Sequence, residues 1–159
     1  MKFRIGNGYD VHKLEEGLRL VLCGIEIPHT KGFVAHSDGD VAIHALCDAL
    51  LGAIAAGDIG KHFPDSSMEF KGIDSRILLK RVCALLDEKG YRIENCDVTI
   101  IAQRPKIAGY IQSMREELAK TMRLDVDLVS VKATTSEKLG FTGREEGIAT
   151  YATALVSHE

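Results

Sequence analysis

Along residues 91–103, Val98, Ile100 and Ala102 alternate with Thr99, Ile101 and Gln103, the two-residue period of a strand. From Gly39 a period of three to four takes over. Ile43, Leu46, Leu50, Ala53 and Ile54 share one face of a helix that ends at Gly57. Residues 2–12 and 18–27 read as strands around a turn at Glu15–Gly17. Residues 57–71 read as a loop, marked by Gly60, Pro64, Asp65, Ser66 and Ser67. A second helix is expected from about Ser75 to Lys89, with Leu78, Val82, Leu85 and Leu86 inward and Gly90 as its stop. A third starts near Pro105, a residue favoured in a first helical turn, and buries Ile107, Ile111, Met114, Leu118 and Met122. Residues 128–135 and 147–157 supply two more strands. Helices alternating with strands predict an α/β fold in one domain, residues 1–159: a mixed β-sheet covered by helices on one face.

Composition narrows the function classes. A chain of 159 residues buries a core without disulfides or metal staples, and 45% apolar with 27% charged residues is ordinary for a globular domain. The net charge of −3, without any block of like charge, argues against a nucleic-acid partner. The longest apolar stretch, Ala49 to Gly57, is far short of the roughly 20 residues of a membrane span. The opening MKFRIGNGYD has no apolar core, no cleavage site and no transit-peptide composition, so the expectation is a cytoplasmic protein that begins at residue 1. Cys23, Cys47, Cys83 and Cys96 are scattered through apolar patterns and read as reduced core residues.

Four segments carry chemistry. In Asp10-Val11-His12 a strand projects Asp10 and His12 to one side, a spacing able to chelate a metal. His44 lies almost opposite the apolar stripe of its helix, between Asp40 and Asp48. One carboxylate and two imidazoles make a ligand set known from catalytic zinc sites, which keep a fourth position open. Asp40 or Asp48, each one turn away, is placed to accept the second ring N–H of His44. Ala35-His36-Ser37-Asp38-Gly39-Asp40 forms a turn before that helix. Ser37 or Asp38 would serve as its N-cap, and His36 is surplus to capping. Asp58-Ile59-Gly60-Lys61-His62-Phe63-Pro64-Asp65 is a glycine-bearing loop whose two carboxylates suit sugar hydroxyls or a metal. Lys132 to Arg144 leaves a strand with three successive hydroxyls (Thr134, Thr135 and Ser136), then Glu137, and Phe141 between two glycines. Hydroxyls and free N–H groups suit phosphate oxygens, and Glu137 suits Mg²⁺.

These segments, with D-V-T-I-I-A-Q at 97–103 followed by P-K, resemble the 2-C-methyl-D-erythritol 2,4-cyclodiphosphate synthases in order and nearly end to end. The resemblance implies a homotrimer with active sites shared between adjacent subunits. Its substrate would be 4-diphosphocytidyl-2-C-methyl-D-erythritol 2-phosphate, and its products the cyclic diphosphate and CMP. Zinc would sit on Asp10, His12 and His44, and Mg²⁺ or Mn²⁺ on Glu137 between the substrate phosphates. His36 and Thr135 match positions that stabilise the transition state. Ser37, Asp58, Gly60 and Asp65 match positions near the erythritol and its phosphate, and Ile59, Phe63, Pro64, Ser66 and Ser67 complete that wall. Ala102, Gln103, Arg104, Pro105, Lys106, Ile107 and Ala108 match the cytidine pocket lent by the neighbouring subunit. Thr134, Ser136, Phe141 and Arg144 match further substrate contacts. Relatives often enclose an apolar cavity on the trimer axis that takes an isoprenoid diphosphate. Arg144 matches its rim, and Tyr151 stands where relatives often carry Glu.

The residue types agree with such chemistry. A substrate phosphate is already ionised near neutral pH, so its attack on another phosphorus needs positioning and charge neutralisation rather than a strong base. Two rival readings share these residues: a metal-dependent phosphohydrolase, and a non-catalytic binder of a nucleotide or isoprenoid around a structural zinc. No general base is evident for attack by water, and structural zinc more often has four protein ligands, commonly several cysteines.

Overall fold

The computed structural model describes residues 1–159. In chain order, β1 (Lys2–Glu16) is followed by a two-stranded ribbon, β2 (Val21–Leu22) and β3 (Ile25–Glu26), and by β4 (Lys31–Phe33). Next come α1 (Val41–Ala53), the one-turn α2 (Ile59–His62) and α3 (Ser75–Glu88). The chain continues through β5 (Tyr91–Ile101), α4 (Ile111–Met122), β6 (Val129–Thr134), the one-turn α5 (Gly140–Gly143) and β7 (Gly147–His158).

The main sheet runs β4-β1-β7-β5-β6. β1 and β7 pair antiparallel from Lys2↔His158 to Lys13↔Gly147. β5 is antiparallel to β7, while β6 is parallel to β5, so the sheet is mixed as expected. A parallel pair needs a crossover, and α4 supplies it between β5 and β6.

The helices lie on one face, with α1 over β1 and β7. Its approach to β1 is close enough to require glycine: a Cβ at Gly6 would meet the Ala49 carbonyl oxygen at 1.9 Å, and one at Gly8 the Ala45 oxygen at 2.0 Å. Gly6, Gly8, Asp10 and His12 share one parity of β1, so the glycines that admit the helix also bring the two polar side chains beneath it. Leu46, Leu50, Leu79, Ile100, Met114 and Ile148 are among the large side chains that fill the core between the layers. No long helix covers the opposite face of the sheet. Phe3, Ile5, Tyr9, Val11 and Tyr151 are exposed there, with Tyr9 and Tyr151 stacked at 4.9 Å between ring centroids.

Three expectations need correction. Residues 18–27 do not form one strand. Cys23 and Gly24 both take positive φ (53° and 77°), which folds the segment into the β2–β3 ribbon. The third helix begins at Ile111 rather than near Pro105. Gly109, a poor helix former, lies in a 3-10 turn over Ala108–Tyr110 that comes first. The 57–71 loop is also not wholly irregular, because Asp58 caps α2 and Ser67 caps a 3-10 turn at Met68–Phe70. No helix is long and apolar enough to cross a membrane. All four cysteines are free, with Cys23, Cys47 and Cys96 buried and Cys83 half-buried, in line with the reading as reduced core residues.

Candidate active site

Asp10 and His12 project from β1 toward α1, and His44 meets them from the first turn of that helix. Asp10 Oδ2 lies 3.1 Å from His12 Nε2 and 3.2 Å from His44 Nδ1, and the two nitrogens are 3.0 Å apart. This is the only group of three or more His, Cys, Asp or Glu side chains arranged to hold a metal. Zinc bound tetrahedrally at about 2.0–2.1 Å sets its ligand atoms roughly 3.3 Å apart, close to the observed triangle. Three electron-pair donors facing one another also need a shared cation, whether a proton or a metal ion, so the donor set fits the ion that its residue types predict.

The electrostatics agree. Burial alone would raise the Asp10 carboxyl, but hydrogen bonds and charge from His12 and His44 hold it well below the usual carboxylate range. Burial likewise disfavours charge on His44, which is 6% exposed. The hydrogen bond His44 gives to Asp10 and the charges of Asp10, Asp40 and Asp38 outweigh burial and raise its pKa. The triad thus stabilises positive charge at its centre.

The far side of His44 corrects the sequence expectation. Neither Asp40 nor Asp48 receives its second ring nitrogen. His44 Nε2 lies 2.9 Å from Ser75 Oγ and 3.2 Å from Ser37 Oγ. Asp48 accepts the Ile59 N–H at 2.8 Å and so anchors the loop before α2. Asp40, rather than Ser37 or Asp38, is the N-cap of α1, accepting from Ile43 N–H. Its oxygens also accept the N–H groups of Cys23 and Gly24 at 2.9 and 2.7 Å. Asp40 is fully buried; burial, followed by the charge of Asp38, pushes it up to about 6 against those three hydrogen bonds. Asp40 therefore ties the ribbon turn to the start of the helix that carries His44.

A cavity of about 310 Å³ opens over the triad. Asp10, His12, His36, Ser37, His44, Ile59, Gly60, Phe63 and Asp65 line it, so nine of the proposed metal and erythritol-side residues come together there. His36 Nε2 donates to the Ser67 carbonyl at 2.8 Å and so holds the following loop against the cavity. Asp58 accepts the Lys61 N–H at the start of α2, and Pro64 and Ser66 are exposed on the same loop. Val34, Phe70 and Leu78 also line the cavity and were not singled out in the sequence. Leu78 carried the signal of an inward helical position; Val34 and Phe70 carried none.

The second set of residues sits elsewhere. Ala102 N–H donates to Thr134 C=O at 3.0 Å, and Lys138 N–H donates to Gln103 Oε1 at 3.1 Å, joining the 102–108 and 134–138 segments beyond β5 and β6. Thr135 is exposed, and its hydroxyl accepts the Glu137 N–H at 3.2 Å. Ser136 is held at 2.7 Å from Leu139 C=O and 2.6 Å from Thr142 Oγ1. Arg104, Lys106 and Glu137 are exposed; Pro105 and Ile107 are half-buried and buried, and Ala108 is exposed. β7 and β5 separate this edge from β1. Three strand spacings of about 4.8 Å put roughly 14 Å between β6 and the triad's strand. One chain therefore does not bring Thr135 or Glu137 to Asp10, His12 and His44. Phe141 and Arg144 lie in a third place, a surface cavity shared with Lys13, Lys31 and Glu146, where Arg144 Nε pairs with Glu146 at 2.8 Å.

The YgbB family matches residues 3–157. Curated relatives named 2-C-methyl-D-erythritol 2,4-cyclodiphosphate synthase include one from Azotobacter vinelandii, 61% identical over 96% of this chain and 98% of its own length. Another, from Acinetobacter baumannii strain SDF, is 57% identical over 99% of this chain and 98% of its own. A solved structure described as that synthase in a CDP-bound form superposes with a TM-score of 0.90 at 38% identity, covering 97% of this chain and 100% of the other. The bifunctional IspDF of Campylobacter jejuni gives a TM-score of 0.96 at 44% identity; this chain covers 43% of that longer one and is itself covered to 99%.

Proposed function

The chain belongs to the YgbB family, and from that premise we propose that it is a 2-C-methyl-D-erythritol 2,4-cyclodiphosphate synthase of isoprenoid precursor biosynthesis. It converts 4-diphosphocytidyl-2-C-methyl-D-erythritol 2-phosphate to the cyclic diphosphate and CMP, as a phosphorus–oxygen lyase. An oxygen of the 2-phosphate attacks the β-phosphorus, the bond from that phosphorus to the bridging oxygen breaks, and CMP leaves with the bridging oxygen. The observation that carries this reading is the Asp10–His12–His44 triangle opening into a polar cavity with His36, Ser37 and Asp65.

Zinc on Asp10, His12 and His44, and Mg²⁺ or Mn²⁺ on Glu137, would neutralise phosphate charge when bound. Ser37, Asp58, Ile59, Gly60 and Asp65 receive the erythritol 2-phosphate end, with Phe63, Pro64, Ser66 and Ser67 enclosing it. Ala102–Ala108 hold the cytidine diphosphate, with Lys106 and Arg104 offering charge that no acid of this chain takes up. His36 and Thr135 donate hydrogen bonds to oxygens that gain charge in the transition state. Thr134, Ser136, Phe141 and Arg144 complete the substrate contacts.

The roughly 14 Å between the two residue sets supports a site completed by a second copy. The uncovered sheet face, with Phe3, Ile5 and Tyr151 exposed by 58%, 71% and 53%, supports a homotrimer that buries it. The enclosed axial space would then be bordered by the Tyr9–Tyr151 pair, with Arg144 at its rim for an isoprenoid diphosphate.

The test supplies purified protein with the diphosphocytidyl substrate, Zn²⁺ and Mg²⁺, and follows the products by ³¹P NMR. Cyclic diphosphate with stoichiometric CMP is the expected result. A linear phosphate product would assign the chain to the hydrolases, and binding without turnover to the carriers.

A further inference from the structure

The proposed metal reading uses one nitrogen of His44, and the other has its own set of buried partners. Ser75 is fully buried at the start of α3, and its Oγ lies 2.9 Å from His44 Nε2. The Ser75 hydroxyl donates to Asp38 Oδ1. Asp38 is fixed in turn by the Asp40 N–H on Oδ1 and the Ser75 N–H on Oδ2, both at 3.0 Å. A serine hydroxyl has one hydrogen to give, and here it goes to Asp38. Ser75 Oγ can then only accept from His44, so the hydrogen between them belongs to Nε2.

We infer that Ser75 and Asp38 are positioning residues: they hold neutral His44 as its Nε2–H tautomer and aim the free lone pair of Nδ1 at the Asp10–His12–His44 triangle. This deepens the metal-site reading given above and rests on it. Ser37 Oγ, 3.2 Å from the same nitrogen, is the weaker partner. It accepts the Gly39 N–H, but no acceptor fixes the direction of its own hydrogen, so it selects neither tautomer. The chain from Asp38 through Ser75 to His44 also clamps α3 to α1 where the ligand is carried, and α1 is already tied to the ribbon turn by Asp40. Ligand histidines commonly donate their second N–H to a carboxylate or carbonyl; here a hydroxyl stands between ring and carboxylate and spans a gap that Asp38 does not bridge itself.

Two readouts on the full chain test this, neither of them turnover. Zinc affinity is measured by chelator competition for the wild type, Ser75→Ala, Asp38→Asn and Ser75→Thr. Ser75→Ala and Asp38→Asn should weaken zinc about 10–100-fold, with Ser75→Thr, which keeps the hydroxyl, nearer the wild type. In the metal-free protein, ¹⁵N NMR of the His44 ring should show the Nε2–H form in the wild type and a mixture of tautomers in Ser75→Ala. If Ser75→Ala folds poorly, Asp38→Asn carries the same NMR readout with the hydroxyl in place. Unchanged zinc affinity in both variants, or a wild-type ring protonated on Nδ1 when neutral, would overturn the inference. The NMR arm needs neither metal nor substrate, so it stands apart from any failure of the cyclase reading.

Discussion

The two halves of the proposed site are built differently. Around the triad, most polar atoms are already committed. Asp40 receives three N–H groups, Asp38 receives three donors, and His44 is held on both ring nitrogens. At the far edge of the sheet, Thr135, Glu137, Arg104 and Lys106 stand exposed with few partners of their own. A metal ligand set works only if its lone pairs are held together before the ion arrives, so that half is made rigid and partly buried. The half proposed to hold the nucleotide gains nothing from being closed within one chain if a second copy supplies its missing wall.

Four substitutions, one pH series and one mixing of two variants can break or sharpen this contrast. The largest effect is expected from His44→Ala, which should lose bound zinc and activity together while circular dichroism still shows a folded protein; full activity without zinc would remove the triad from the mechanism. Thr135→Ala should lower kcat by about 10²–10³-fold, the usual loss for one transition-state donor, while zinc content stays at the wild-type level. Zinc loss in that variant would mean the halves are not separate.

Stability should divide the halves as well. Asp40→Ala leaves the N–H groups of Cys23, Gly24 and Ile43 without their acceptor, two of them buried, and should cost about 3 kcal/mol or more in urea unfolding. Ser136→Ala, at the far edge, should cost about 1 kcal/mol. Equal losses would contradict the difference in rigidity.

The pH series tests the charge balance at the triad. His44 has a raised pKa, so in metal-free protein its contribution to stability is full below the ordinary imidazole value and is lost as pH rises through the raised value. Zinc competes with that proton, so its affinity moves the other way. It is highest above the raised value and falls by up to about tenfold per pH unit below it. A pH-independent affinity, measured by the same chelator competition, would show that no proton is displaced.

The smallest effect is the most direct on assembly. Co-refolding equal amounts of His44→Ala and Thr135→Ala should restore activity to about a quarter of wild type, since in a randomly mixed cyclic oligomer a quarter of shared sites receive both intact halves. No recovery would mean that each chain builds its site alone.

Much of the site is legible in the residues because it depends on local periods. Asp10 and His12 share a face by the alternation of a strand, and His44 leaves its helix away from the apolar stripe. The same periodicities located the sheet strands β1, β5, β6 and β7 and the three long helices. They misplaced residues 18–27, where positive φ at Cys23 makes a turn that its apolar side chain does not announce. They also started α4 too early, because Pro105 is favoured in a first helical turn but does not by itself begin one.

What the sequence by itself determined is which side chains can meet as a candidate ligand set, since the strand period puts Asp10 and His12 on one side and the helix turns His44 away from its apolar stripe. Only the tertiary structure decided what holds the set in place. Asp40 and Asp48 are the carboxylates nearest His44 along its helix, yet Ser75, 31 residues away, lies against its ring. A helix fixes where a residue points, but which side chain fills the space opposite depends on how α3 packs on α1, and no local pattern encodes that. Strand order likewise leaves Thr135 across the sheet from Asp10, His12 and His44, because it is set by long-range pairing.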